Sequence, residues 1–170
     1  GADADATVSP TIAAYLSGAD VEVDQDLNLT AVSEANADAD AVGVAAGGLS
    51  VGVALADAMI APDIKTYING GTVIAGQGIT LGSYHNYNPT GAPIDKGADA
   101  HATAPSGALI GGNGADATAN SSAKLDTYIG ASAAVSATSG DIKIESLSYS
   151  ESDALSEGIT GGGVSVGASL

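Results

Sequence analysis

The sequence predicts an all-β fold, a β-solenoid of about three imperfect 52–61-residue repeats. Three observations carry this. Apolar and polar residues alternate with period two, one tyrosine-centred unit recurs along the chain, and the composition lacks the large side chains of a thick core. Phe and Trp are absent, and there is one Met beside 24 Gly and six Tyr. Small side chains fill thin spaces between layers rather than a three-dimensional globule core.

The unit is anchored on "TIAAYLSGADVEV" at 11–23, "DIKTYINGGTVIA" at 63–75 and "KLDTYIGASAAVS" at 124–136. Tyr15, Tyr67 and Tyr128 are 52 and 61 residues apart. An alanine-rich run precedes each, at 2–10, 54–62 and 115–123. Apolar pairs follow: Leu27 and Leu29, Ile79 and Leu81, then Ile142 and Ile144 after a two-residue slip. "ADADA" at 37–41 matches "ADAHA" at 98–102. "AGGLSVGVAL" at 46–55 returns as "GGGVSVGASL" at 161–170, the start of a further unit. The repeat units are therefore roughly 1–46, 47–107, 108–160 and 161–170, in one domain over 1–170.

Within the unit, "DVEVD", "LNLTAV", "ITLGS" and "DIKIES" alternate as half-buried strands do. Alanine favours helix, but Gly, Val, Asp and Ser interleave with it in "ADADAVGV" and "SVGVALADA", so strand is preferred. Turns are expected at 17–20, 69–71, 76–78 and 139–141. The segment 84–97, "YHNYNPTGAPIDKG", has no periodicity and reads as an exposed loop, with Tyr84 and Tyr87 offered to a partner. Coils of roughly 20–25 residues would put two to three coils in each unit and about 35 Å of solenoid in the chain. The alternative architecture is a sandwich of long β-hairpins, turning at Gly47–Gly48. Expected inward positions are Ile12, Val21, Leu27, Leu29, Ile64, Val73, Ile79, Leu81, Leu125, Ile142 and Ile144.

The formal charge is −16, from 20 acids against four Lys and no Arg. That argues against nucleic acid and anionic membranes as partners. Without Cys there is neither a disulfide framework nor a thiolate metal site. No run of apolar residues is long enough to span a bilayer, so no membrane insertion is expected. A chain that starts at Gly1 reads as a piece of something longer.

No catalytic frame surrounds His85 or His101, which read as surface-loop residues, and a chain without Arg is poorly equipped for a carbohydrate-active solenoid enzyme. "GGNGADATA" at 111–119 follows the frame of calcium-binding nonapeptides, but Thr118 stands where a large apolar residue belongs. Weak metal candidates are Asp38, Asp40 and Asp116, with Ca²⁺ as the ion; otherwise no cofactor is expected. The alternating acids, Asp3 with Asp5 and Asp38 with Asp40, also serve as solubilising stripes. The three tyrosines are expected to cap the interior, with rings about 10–14 Å apart and too distant to stack.

The stretch "GGLSVGVALADAMIAPDIKTYINGGTVIAG" at 47–76, with weaker copies elsewhere, resembles the repeat regions of large bacterial filamentous adhesins of the haemagglutinin-like class. The resemblance implies a right-handed parallel β-helix at the cell surface or outside the cell, and no catalytic residues. The expected function is a structural repeat or subunit of an extracellular fibre, assembling head to tail. Its self-assembly residues would be Gly1, Ala2, Ala4, Val164, Val166 and Leu170, since Ala168 and Gly1 fall at equivalent positions of the repeat. The alternative is a secreted solenoid that binds a cation, a glycan or another ligand on a flat face.

Overall fold

The computed structural model describes residues 1–88 and 90–170. Strands take up 75% of the chain, and there is no helix among the described residues. The first repeat holds β1 (Ala2–Val8), β2 (Thr11–Ser17), β3 (Val21–Val23), β4 (Leu27–Ser33) and β5 (Ala37–Val42). The second runs through β6 (Ala45–Ile60), β7 (Asp63–Asn69), β8 (Gly71–Ala75) and β9 (Ile79–His85) into β10 (Gly97–Ser121). The third holds β11 (Lys124–Ile129), β12 (Ala133–Ala137), β13 (Ile142–Ser148) and β14 (Glu151–Gly161), followed by β15 (Val164–Ser169).

Every ladder between these strands is parallel, and each strand pairs with its counterpart one repeat away. Ala2 lies beside Ala54, and Ala54 beside Ala115. Tyr15, Tyr67 and Tyr128 line up, as do Leu29, Leu81 and Ile144. The repeats thus lie as layers, and the two-residue slip before Ile142 is absorbed in the turns on either side of β12. Among the described residues the one antiparallel contact is an isolated bridge, Tyr87–Pro93, so the hairpin sandwich is not the arrangement adopted. The chain does fold back near Gly47–Gly48, where that alternative placed its turn. Gly43 and Ala45 face Gly52 and Val53 across the fold.

Two to three coils per repeat is also corrected. Strand partners lie a whole repeat apart, with no intervening layer. The reason is the alanine seam. Ala37, Ala39 and Ala41 of β5 face inward against Ala54, Ala56 and Ala58 of β6, with Ala98, Ala100, Ala102 and Ala104 alongside. Methyl-sized side chains let the last strand of one repeat and the first strand of the next face each other closely instead of stacking on each other. The two strands come close at Gly43, where a Cβ would lie 2.0 Å from the Val53 carbonyl oxygen. Only glycine fits there.

A second apolar cluster fills the opposite end of each layer. Ile68, Val73, Ala75, Ile79 and Leu81 are fully buried in the middle repeat, flanked by Leu16, Val21, Leu27 and Leu29 below and by Ile129 and Val135 above. All eleven expected inward residues occupy inward columns, but burial depends on the layer. Ile64, Val73, Ile79 and Leu81 are inaccessible, while Ile142 and Ile144 stay more than 40% exposed because no layer covers them. Between the two clusters runs a hydroxyl seam. Ser83 Oγ donates to Thr66 Oγ1 at 3.0 Å, and Thr127 Oγ1 donates to Ser83 Oγ at 2.7 Å.

Candidate functional site: stacked columns and open layer edges

In-register stacking of like residues turns each position of the repeat into a column, and the columns set the chemistry of every face. The tyrosine column lies on the outside of the sheet formed by β2, β7 and β11. Ring centroids are 5.1 Å apart for Tyr15–Tyr67 and 5.2 Å for Tyr67–Tyr128, with planes within 8°. The interior-capping reading and the 10–14 Å spacing are therefore wrong. With one layer per repeat the rings are neighbours along the sheet, within stacking range, and Tyr15 is 56% exposed.

The loop expectation for 84–97 holds only in part. Tyr84 and His85 belong to β9, and both are buried. The Tyr84 hydroxyl donates to the Glu145 carboxylate, and burial and that bond push its pKa up to about 12. Tyr84 is thus not available to a partner, because alternation on β9 gives way to a doubly covered strand end. Tyr87 is half-buried and meets Tyr149 edge-on at 6.5 Å. Asn86, in the left-handed region at φ 48°, pins the loop: its Oδ1 accepts from Ala35 N, and its Nδ2 donates to Ala35 O and Lys96 O. The exposed residues are 90–93 and Asp95, and Asn88 Oδ1 holds the tip by accepting from Thr90 N and Ala92 N. Pro89 lies outside the described residues.

The histidines are not loop residues. His85 is inaccessible to solvent, and burial lowers its pKa. His101 lies on β10, where its ring nitrogens are 3.5 Å from Asp40 and 3.7 Å from Glu157. Asp38, Asp99 and Asp153 form an outward column beside it. Burial, then the neighbouring Asp38 and Asp153 charges, raises the Asp99 pKa. Of the three metal candidates, Asp38 and Asp40 share this face, whereas Asp116 stands outward on the other arm, aligned with Leu55 and Asp3. The structure does not bring the three together, and no group of three or more His, Cys, Asp or Glu residues arranged to hold a metal occurs among the described residues. The nonapeptide-like stretch has a structural use instead. Asn113 is buried, and its Nδ2 donates to Ala104 O at 2.6 Å and Ile159 O at 2.8 Å, tying the two arms of the fold together.

Gly1, Ala2 and Ala4 lie in the first layer in register with Val53, Ala54 and Ala56. Ala168 pairs with Gly114 and so falls in the same column as Gly1, as the repeat spacing requires. Ala2 and Ala4 point into the alanine seam. Val164 and Val166 do not. They are 65% and 72% exposed on the outward flank, and Leu170 is 88% exposed. The inward positions of that row are Ser165 and Gly167, stacked on Gly111 and Asn113. Burial of these three residues in an axial junction is corrected on parity: an added layer would cover Ser165, not Val164. Sequence reasoning also missed the tyrosine stack, whose signal was the identical register of Tyr15, Tyr67 and Tyr128.

The chain is an all-β protein of in-register parallel strands. Comparison with family models, with curated proteins and with solved structures found no match to it.

Proposed function

We propose that this chain is a structural repeat or subunit of an extracellular bacterial fibre or filamentous adhesin, wound as a β-solenoid with one repeat per coil and extended head to tail. The observation that carries this reading is the graded burial along the column of Leu29, Leu81 and Ile144. Leu81 is inaccessible between Leu29 and Ile144, while Ile144 is 46% exposed. Another layer of the same kind would bury Ile142 and Ile144 and pair the strand edge beside them. Unpaired parallel edges template such pairing, and a translation-like contact between unlike ends does not close. The columns carry on across the proposed junction, where Tyr128 of one copy would meet Tyr15 of the next. A charge of −16 per chain keeps such rods soluble and apart. In this reading the protein is a scaffold rather than an enzyme, holds no cofactor, and works at the cell surface.

Negative-stain electron microscopy with light scattering tests it. The 170-residue chain should form filaments whose mass grows with concentration, with an axial repeat of about 15 Å per chain for three layers. Ile144→Lys should shorten them. A chain that stays monomeric at high concentration overturns the reading.

A further inference from the structure

All 20 acids and all four lysines lie outside three stretches, 41–56, 102–115 and 158–170. These stretches build the two facing arms that fold back at Gly47–Gly48. On the outer flank of the second arm, the row Leu49, Val51, Val53 stands beside the row Ile110, Gly112, Gly114. Val164 and Val166 extend the flank beyond Ile110 and Gly112. Small residues thus face inward here and large aliphatics face water, the reverse of the other end of the layer. Leu49, Val51, Val53, Ile110, Val164 and Val166 are each between 40% and 79% exposed and lie in adjoining rows, a contiguous apolar flank of the kind that marks an interaction surface.

The two glycines give the second observation. A Cβ at Gly114 would meet nothing within 4 Å, and one at Gly112 only the Val166 carbonyl oxygen at 3.7 Å. Neither has a positive φ. Glycine inside a strand costs about 0.5–1 kcal/mol relative to alanine, and nothing within this chain requires it at either place. Close approach of another backbone or side chain from outside does require it.

We propose that this flank is an interface between two copies of the chain, related by a two-fold axis parallel to the strands, in which Val51 and Val53 of each copy fill the trough over Gly112 and Gly114 of the other. A ridge and a trough in adjacent rows and the same columns complement themselves under that rotation, as an isologous contact demands. Leu49 then meets Ile110 across the axis, and the acids Asp3, Asp57 and Asp116 form a charged rim. The contact is lateral and does not depend on head-to-tail extension.

Disulfide trapping tests it, since the chain has no native Cys. A Val51→Cys chain mixed with a Gly112→Cys chain should form the mixed disulfide about tenfold or more faster than a Val51→Cys chain mixed with Leu155→Cys on the opposite flank. Axial stacking keeps Val51 and the Gly112 of a neighbouring copy at least two layers apart, about 10 Å, beyond disulfide reach. Gly114→Val should abolish the trapping while leaving the melting temperature unchanged or higher. Mixed-disulfide formation no faster than the control overturns the proposal, as does trapping that survives Gly114→Val. Co-flotation of the untrapped chain with neutral phosphatidylcholine vesicles, lost in Gly114→Val, would assign the flank to a lipid surface and overturn it as well.

Discussion

Leu81 and Ile144 occupy one inward column in adjacent layers, so truncating each to alanine measures what a covering layer is worth. Leu81→Ala removes a side chain with no exposed surface, packed among Ile68, Val73 and Ile79. At about 0.8 kcal/mol per buried methylene, the transfer loss is about 2.4 kcal/mol. A sealed void between layers adds to it, for a total near 3–4 kcal/mol. Ile144 is already 46% exposed, so the transfer loss is about halved, and the notch left behind opens to water rather than enclosing a void. Its cost is about 1 kcal/mol. A difference of about 2 kcal/mol corresponds to a gap of roughly 4–8 °C in melting temperature for a chain of this size. Thermal unfolding followed by far-ultraviolet circular dichroism, at dilution that keeps chains apart, reads it directly. In assembled filaments the gap should narrow, because a further layer covers Ile144. Equal melting temperatures for the two variants in the dilute chain would refute the layer-by-layer account of burial.

Tyr67→Leu removes both ring contacts of the stack and should cost about 1–2 kcal/mol, with loss of the tyrosine exciton signal in circular dichroism; Tyr15→Leu breaks one contact and should cost about half as much. An unchanged signal in Tyr67→Leu would mean the rings do not stack in solution. Acidification should destabilise the fold through His85: its folded pKa is lowered by burial, so the unfolded chain binds the proton first, and stability falls as pH drops below the ordinary value of about 6.5. His85→Asn should flatten the melting-temperature profile between pH 8 and 5.5, and an equally steep profile would remove His85 as the cause.

The repeat, its register and its slip were legible from residues alone. Identical side chains prefer to stack on one another in parallel ladders, so the Tyr15, Tyr67 and Tyr128 spacing already contained the pairing. Alternation likewise marked Leu27, Leu29, Ile79 and Leu81 as inward. Alternation does not say which of two opposite faces turns inward when neither is strongly apolar. In "ADADAVGVAAGGLSVGVALADA" the larger residues are Val and Leu, yet the alanines and glycines take the inside. That parity was decided by the facing strand, because β5 and β6 approach too closely for anything wider, as at Gly43. The same approach made one wide layer of each repeat and brought the tyrosine rings within contact. It also turned Val164 and Val166 outward, away from the axial junction and onto the flank. Tyr84 and His85 were covered for separate reasons: His85 falls on the inward parity of Ile79 and Leu81, while the Tyr84 ring lies over Gly82 and its hydroxyl donates to Glu145, contacts that no local pattern encodes. Local sequence determined what repeats and in what register, since those depend on like residues meeting like. Which side faces in was a tertiary decision, made by the distance at which two facing strands pack together.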